Sequence, residues 1–290
     1  MKLDPDLTTT ALVGWYGAAR LIADNVGRAM DGCAHVTVPF AGGMSEIARI
    51  KARSIVVNDL HRQVINLAMV VADPKMGPKF YRAARRLPLH EDVLAAAQKR
   101  CKAREQRIGV GDLFGGADPL PEMPDLDWAL DYWVCCWQGC GGAAGQPNEF
   151  NGGISVRMDA GGGDSARRYT SATSSLIAWR RIFPRCSFLC RDAFDLLTTV
   201  KDQRDCGLYC DPPWGGGPGE RYTHPFGEDQ HRRLAKVLHR FQRTRVVIRY
   251  GVHPLIESLY PRDDWEWTIR NGRDRANQDK AEALIIRRAA

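Results

Sequence analysis

The feature that most constrains the fold is a series of short apolar runs separated by segments of helical spacing. His35–Val38 and Ser54–Asn58 are each typical of a short buried strand, and the turn Pro39–Gly43 with a helical pattern over Met44–Arg49 joins them. Because parallel strands need such a crossover, this segment predicts a βαβ unit and an α/β fold. Further buried strands are predicted at Ser187–Leu189, Gly207–Cys210 and Arg245–Ile248.

The remaining pattern divides the chain into two predicted domains. Residues 1–72 and 176–290 are expected to form one open α/β domain, and residues 73–175 an insertion that is helical first and Gly-rich later. Trp265–Ile269 and Ala283–Ile286 are expected to pair as an antiparallel hairpin on the sheet edge. Helices are also expected at Tyr16–Met30, His61–Ala72, within Lys79–Arg107, at Leu126–Trp137 and at Glu228–Gln242.

The charge balance favours a polyanionic partner. Forty-one Lys and Arg face 34 Asp and Glu, which gives a formal charge of +7. No run approaches the ~20 apolar residues of a membrane span, and Met1–Asp6 lacks an apolar signal segment, so a cytoplasmic location is expected. The nine cysteines are expected to be reduced, and with neither a C-x-x-C pair nor a His cluster no metal is predicted.

The most specific motif is Asp211-Pro212-Pro213-Trp214, which directly follows an apolar run. An adenine amino nitrogen is a poor nucleophile because its lone pair is delocalised into the ring. The Asp211 carboxylate and the Pro212 carbonyl can each accept one amino hydrogen and aim that lone pair at a methyl donor. Pro213 helps to hold the backbone stiff, and Trp214 can stack on an extruded base. A structural Pro-Pro turn is the alternative.

The second motif is the turn Pro39-Phe40-Ala41-Gly42-Gly43 between a strand and a helix. Glycines let the backbone approach a ligand, and Asp59 at the end of the next strand is placed to bind ribose hydroxyls. The fingerprint G-x-G-x-x-G is absent, which favours a nucleoside cofactor without a pyrophosphate. A purely structural glycine turn is the alternative.

These motifs occur in an order that resembles the Dam family of DNA adenine methyltransferases. Trp15-Tyr16-Gly17, Phe40-Ala41-Gly42-Gly43, Asn58-Asp59 and Asp211-Pro212-Pro213-Trp214 follow one another as in that family. Arg191-Asp192-Ala193-Phe194 resembles the segment before its catalytic motif. The resemblance implies a class I, Rossmann-like methyltransferase sheet with an inserted, largely helical target-recognition domain. It also implies methyl transfer from S-adenosyl-L-methionine to adenine in double-stranded DNA.

The resemblance also assigns roles to residues. Asp211, Pro212, Pro213 and Trp214 are the expected catalytic residues. The residues expected to bind the cofactor are Trp15, Tyr16, Gly17, Pro39, Phe40, Ala41, Gly42, Gly43, Asp59, Asp192, Ala193, Phe194 and Asp211. Asp192 is expected at the cofactor adenine, with Phe194 packed nearby.

Two departures from the family are visible. Ala18-Ala19 stands where the family has Gly-Lys, with Arg20 one place later, so the family's lysine contact is not carried over. Trp214 replaces the usual Tyr and remains capable of stacking.

The insertion contains the expected nucleic-acid contacts. Its basic residues are suited to phosphates, and Phe150-Asn151-Gly152-Gly153 resembles the family's recognition hairpin. The selected residues are Arg85, Arg86, Arg104, Asn151, Arg167, Arg168 and Tyr169. A solvated helix face is the alternative. His224 and His231 are expected on the surface.

Three other functions remain open. The same catalytic motif would serve an RNA adenine methyltransferase, although a long insertion favours duplex DNA. A cytosine amino-methyltransferase more often begins the motif with Ser. A catalytically silent DNA-binding homologue would keep the fold. The sequence does not specify the oligomeric state.

Overall fold

The computed structural model describes residues 11–17, 22–114, 122–140, 144–156, 164–214, 222–224, 226–273 and 279–287. The chain divides into two compact units. The first, here the helical unit, comprises Met1–Ala18, Gly42–Ala48 and His61–Pro184. The second, here the sheet unit, comprises Ala19–Ala41, Arg49–Leu60 and Arg185–Ala290.

The elements of the described residues are as follows. The strands are β1 (His35–Val38), β2 (Ser54–Asn58), β3 (Cys186–Leu189), β4 (Cys206–Cys210), β5 (Arg245–Gly251), β6 (Trp265–Arg273) and β7 (Asp279–Arg287). The helices are α1 (Ala23–Ala29), α2 (Arg62–Ala72), α3 (Met76–Arg86), α4 (Glu91–Phe114), α5 (Leu126–Gln138), α6 (Ser165–Ile182), α7 (Ala193–Thr199), α8 (Glu228–Leu238) and α9 (Pro254–Leu259). None of these helices combines the length and the apolar character that crossing a membrane requires.

The described strands form one mixed sheet in the order β3-β2-β1-β4-β5-β7-β6. Neighbouring strands from β1 to β5 pair in parallel, while β7 is antiparallel to both β5 and β6. The predicted α/β fold and terminal hairpin are therefore confirmed, with β6 at the edge and β7 inside the sheet. This architecture is compatible with a Rossmann-like fold.

The strand order reverses between β1 and β4. From β1 the chain extends the sheet through β2 and β3, whereas from β4 it extends the opposite way through β5. In open α/β sheets, ligands bind beyond the carboxyl ends of the strands at such a reversal. The turn after β1 and the Asp-Pro-Pro-Trp motif after β4 both lie at this position.

Helices α2 to α6 belong to the helical unit, and α6 is the main element that the sequence patterns did not predict. Asp164 caps α6 by accepting hydrogen bonds from the backbone N–H groups of Ala166 and Arg167. Its buried residues Tyr169, Thr173, Leu176 and Trp179 recur at helical spacing. The many Ser, Thr and Arg residues between them obscured this pattern.

Two predicted helices are corrected. Met44–Arg49 forms turns instead of a helix, and its first residue, Met44, has a φ of 62°, in the left-handed region. Of the helix predicted over Tyr16–Met30, the described residues contain α1, and Gly17 turns the chain with a φ of 72°. Ala18, Ala19 and Arg20, which depart from the family motif, lie outside the described residues.

The compact units differ from the predicted domain boundaries at several points. The helical unit begins its long segment at His61, before the predicted boundary at residue 73, and extends to Pro184. The reason is that α2 packs within it: the Trp128 indole Nε1 donates to the Gln63 side chain at 3.0 Å. Asn66 also exchanges hydrogen bonds with the backbone of Asp125.

Candidate active site

Asp211 occupies the first position after β4 and forms an ion pair with Arg249 on β5. The Arg249 Nη1 donates to Asp211 Oδ2 at 2.9 Å. Arg249 also donates from Nη2 and Nε to Glu282 Oε2 on β7, at 2.7 and 3.1 Å. The Arg249 cation on β5 therefore lies between two carboxylates, one at the end of β4 and one on β7.

Burial and charge oppose each other at this ion pair. Burial raises the pKa of Asp211, and the adjacent Arg249 guanidinium acts in the opposite direction. Burial disfavours the charged Arg249, but Asp211 and Glu282 outweigh it and raise the pKa of Arg249. Arg249 is thus a permanent cation next to the expected catalytic carboxylate.

Trp214 is held in place by three contacts of the sheet unit. Its indole Nε1 donates to Asp211 Oδ1 at 3.4 Å. The Arg249 guanidinium lies 4.7 Å from the centre of its ring. A Cβ atom added to Gly251 would lie 2.9 Å from Trp214 Cε3, so the glycine is what allows the ring to pack there. The two expected catalytic side chains, Asp211 and Trp214, are therefore in direct contact.

Asn58 ties together the carboxyl ends of β1, β2 and β3. Its buried side-chain Nδ2 donates to the carbonyls of Pro39 and Arg191, both at 3.0 Å, and its Oδ1 accepts from Arg191 N at 3.2 Å. Ala41 N also donates to the Asn58 carbonyl at 2.9 Å. The Asn58 side-chain amide thus joins the segments after β1 and β3, both of which were predicted to bind the cofactor.

Two predicted cofactor acids follow these strands. Asp59 is partly exposed directly after β2. Asp192 is exposed and caps α7, where its Oδ1 accepts from the N–H of Phe194 at 2.7 Å and of Asp195 at 3.4 Å. Asp192 therefore has a structural role in addition to its expected cofactor contact.

Aromatic rings line the same end of the sheet unit. Phe194 is buried beside Ala193 and stacks on Phe226, with ring centres 5.9 Å apart and planes at 12°. Phe40, after β1, meets Phe226 edge-on at 5.7 Å. The Arg233 guanidinium covers the Phe194 ring at 4.0 Å.

His231 was expected on the surface, and this prediction is wrong. It is fully buried in α8, its Nδ1 is 2.8 Å from the Tyr250 hydroxyl, and its ring meets Phe226 edge-on at 4.8 Å. Burial lowers the pKa of His231 to about 4, so it is neutral at pH 7. His224 is exposed as expected.

Gly42 and Gly43, which were predicted to bind the cofactor, belong to the helical unit. Both pack so closely against Trp15 that a side chain would not fit. A Cβ on Gly42 would lie 2.9 Å from Trp15 Nε1, and one on Gly43 would lie 2.7 Å from Trp15 Cβ. A Cβ on Gly145 would lie 2.6 Å from Trp15 Cζ2. The ring packs edge-on against His61 at 5.2 Å. The structural interpretation of the glycine turn thus accounts for Gly42 and Gly43 without a ligand.

Tyr16 and Gly17, the other two residues of the Trp15-Tyr16-Gly17 motif, follow Trp15 in the helical unit. Tyr16 is partly exposed and its N–H donates to Ala144 O at 3.0 Å. Gly17 is exposed.

Three of the residues predicted to contact nucleic acid have partners within the helical unit. Arg104 donates to the buried Asp131 at 2.6 Å and is 22% exposed, and Arg100 pairs with the same acid. Arg168 donates to the backbone carbonyls of Trp137 and Gly139, both at 3.3 Å. Tyr169 is 6% exposed and its hydroxyl donates to Ala84 O at 2.9 Å. These side chains stabilise the helical unit.

The other predicted contacts remain accessible. Arg85 and Arg86 are exposed on α3, and Arg167 is exposed near the start of α6. Asn151 is exposed in a loop whose base is closed by an antiparallel bridge between Gly139 and Ile154. Residues 141–143 and 157–163 of the Gly-rich tract lie outside the described residues.

The face of α3 that carries Lys79, Arg82 and Arg86 is strongly basic. These exposed residues are spaced i, i+3 and i+7, which places them on one side of the helix. The helix contains no acidic residue. This surface, here called the α3 basic face, suits a polyanion.

One group of potential metal ligands occurs among the described residues, although none was predicted. The ligand atoms of His61, Glu105 and Glu149 lie within 4.8 Å of one another. His61 Nδ1 accepts from Val64 N at 3.4 Å, so the imidazole proton is on Nε2 and points to Glu149 Oε1 at 2.9 Å. His61 and Glu149 are therefore hydrogen-bonded to each other, while Glu105 accepts from the Gln63 side chain at 3.2 Å. All nine cysteines are free, as predicted.

Arg249, Glu282 and Asn58 are the residues that sequence reasoning missed. Arg249 and Glu282 belong to apolar strands far along the chain, and a charged residue in a buried run was the one available signal. Asn58 was noted beside Asp59 but given no role.

Comparison of the chain with models of known protein families and with curated proteins gives no match in either case.

Proposed function

We propose that this protein is a methyltransferase that transfers a methyl group from S-adenosylmethionine to the exocyclic amino group of adenine in double-stranded DNA. The observation that carries the proposal is the position of Asp211–Trp214 at the carboxyl end of β4, where the strand order reverses. Asp211 and Trp214 contact each other there, as one reaction centre requires.

The sheet supports the class of enzyme. Its seventh strand is antiparallel and lies between the fifth and sixth, as in the class I methyltransferase fold that the sequence resemblance implies. Three segments that resemble parts of the family's cofactor motifs follow β1, β2 and β3 in the same sheet unit: Pro39–Ala41, Asp59 and Asp192–Phe194.

The residues at these strand ends fit S-adenosylmethionine. The carboxylates of Asp59 and Asp192 accept hydrogen bonds, as ribose hydroxyls and an adenine amino group require, and Phe40 and Phe194 supply apolar surface. The cofactor, when bound, supplies an electrophilic methyl group.

The work of the chain is to hold the target amino group. Asp211 Oδ1 makes one long hydrogen bond to Trp214, and because a carboxylate oxygen has two lone pairs it can accept an amino hydrogen as well. The Pro212 carbonyl accepts the other hydrogen, which directs the nitrogen lone pair at the methyl group. Trp214 stacks on the base. The proton released after transfer is acidic, and water accepts it.

The helical unit supplies the surface for DNA. The α3 basic face carries three exposed cations without an acidic neighbour on the helix, which favours phosphate contacts over a specific protein partner. Arg167 and Asn151 are exposed and remain candidates for contacts between the Gly-rich segment and DNA.

The decisive experiment uses methyl-labelled S-adenosylmethionine with unmethylated duplex DNA, single-stranded DNA and RNA, followed by nucleoside analysis. We expect label in N6-methyladenine from duplex DNA. Asp211→Ala should abolish labelling while it keeps the wild-type fold by circular dichroism, whereas Asp263→Ala, an exposed aspartate of the same unit, should behave as wild type. Label in cytosine or in RNA alone, or none in wild type with bound cofactor, would contradict the proposal.

A further inference from the structure

The buried ion-pair network Asp211–Arg249–Glu282 is larger than the proposed chemistry requires. The side chains of Arg249, Asp211 and Glu282 are 7%, 16% and 16% exposed. Burying three charges is unfavourable unless each is paired and hydrogen-bonded, and removing one partner leaves an uncompensated charge. The network therefore fixes the geometry of its members rather than adding to general stability.

Arg249 contacts both expected catalytic side chains at once. Its Nη1 donates to Asp211 Oδ2 at 2.9 Å, and its guanidinium lies 4.7 Å from the centre of the Trp214 ring. The carboxylate oxygen that faces Trp214 is the other one, Oδ1. The arginine thus occupies one oxygen of Asp211 and leaves Oδ1 for the indole and for the substrate.

Glu282 holds the arginine in this orientation. Two of the Arg249 nitrogens, Nε and Nη2, donate to Glu282 Oε2, and this forked contact fixes the plane of the guanidinium. Glu282 pairs with Gly251 in the β5–β7 ladder, so its backbone is part of the sheet.

We propose that Arg249, oriented by Glu282, is the positioning residue that fixes the Asp211 carboxylate and the Trp214 ring for methyl transfer. The inference rests on the proposed function, and it goes beyond it by assigning roles to two residues outside every motif. In this role Arg249 acts through Asp211 and Trp214.

The network also sets the ionisation of Asp211. Asp211 faces Arg249 from β5 and Glu282 from β7, and the neighbouring groups Cys210 and Tyr250 are neutral at pH 7 because burial raises the pKa of each. Arg249 lowers the pKa of Asp211 and Glu282 raises it. Loss of Arg249 should therefore raise the pKa of Asp211, and loss of the Glu282 charge should lower it.

The first test follows the Trp214 indole N–H in a proton–nitrogen NMR spectrum of the whole chain, with the signal assigned by its loss in Trp214→Phe. The indole donates to Asp211, so its resonance reports the titration of that carboxylate. We expect Arg249→Met to move the midpoint up by about 1–3 pH units, the usual effect of a neighbouring opposite charge. Glu282→Gln, which keeps an acceptor oxygen, should move it down.

The second test measures methylation of duplex DNA by the same variants. Arg249→Met should lower kcat at least tenfold at pH 7, leave KM for S-adenosylmethionine within threefold, and regain part of the rate at higher pH. Arg249→Lys should keep the titration within about one pH unit of wild type while still losing rate, because lysine cannot make the forked contact.

The outcomes separate the two proposals. An unchanged midpoint in Arg249→Met, or shifts of the same sign in Arg249→Met and Glu282→Gln, would overturn the positioning role. If Arg249→Met does not fold by circular dichroism, the other two variants decide. A wild-type rate in Arg249→Lys, or a midpoint in Glu282→Gln that does not move down, would then overturn the positioning role. If wild type does not methylate adenine, the proposed function fails, while the indole titration still supports or refutes positioning.

Discussion

Gly251→Ala should separate activity from stability in this protein. The added Cβ would lie 2.9 Å from Trp214 Cε3 and 3.2 Å from Cζ3, whereas ordinary contacts begin at 3.4 Å. The ring must therefore move by about 0.5 Å away from β5. Trp214 is partly exposed, so the ring moves more readily than the strand.

The magnitude follows from what the moved ring loses. Stacking on an extruded base is worth about 1–3 kcal/mol, which corresponds to about 5- to 150-fold in rate. The 3.4 Å hydrogen bond to Asp211 is already long and should break. The fold itself should not suffer, because Ala in place of Gly reduces the entropy of the unfolded chain by about 0.4–1 kcal/mol and Gly251 does not require a positive φ.

The assay is single-turnover methylation of duplex DNA, together with thermal unfolding and cofactor binding. Gly227→Ala is the matched control, since its Cβ would meet one atom, Gln230 Oε1, at 3.7 Å. We expect Gly251→Ala to lose rate at least fivefold with an unchanged or higher melting temperature, and Gly227→Ala to keep the rate. A Gly251→Ala variant with wild-type turnover would refute the reasoning about Trp214.

Three further predictions concern pH, cofactor and DNA. Burial, and next the charge of Glu149, raise the pKa of Glu105 to about 7, so its contribution to stability is full below pH ~4.5 and is lost as the pH rises through 7. Glu105→Gln should therefore flatten the pH dependence of the free energy of unfolding in that window by about 1–2 kcal/mol after solvent screening, as measured by denaturant unfolding at each pH. Asp59→Ala should reduce the rise in melting temperature caused by S-adenosylmethionine, and an equal rise would remove Asp59 from the cofactor site. Arg82→Gln with Arg86→Gln should reduce the salt dependence of DNA affinity by about two phosphate contacts, measured by fluorescence anisotropy against Arg243→Gln in the sheet unit.

The sheet was predictable because its strands are encoded locally. The apolar runs at β1, β2, β4 and β5 have no competing helical period, and parallel strands of this kind are buried on both faces. The position of Asp211 at a strand end followed directly. The strand order did not follow, because pairing joins segments far apart in sequence.

Other parts of the site were not predictable for the same reason. Arg104, Arg168 and Tyr169 look like surface residues in the sequence, yet each is bound by a partner more than 25 residues away. Glu105 and Glu149 come together in the same way. Long-range partners decide whether a charged side chain is exposed, and the local pattern does not contain them.

The sequence by itself determined the chemistry available at the end of β4, since the order Asp-Pro-Pro-Trp and the apolar run before it are local. Only the tertiary structure decided how that chemistry is held. Arg249 reaches Asp211, and Glu282 reaches Arg249, because β4, β5 and β7 are neighbours in the sheet. Arg249 and Glu282 lie 38 and 71 positions along the chain from Asp211. The physical reason is that a charge is tolerated in a buried strand only where another strand brings its counter-charge.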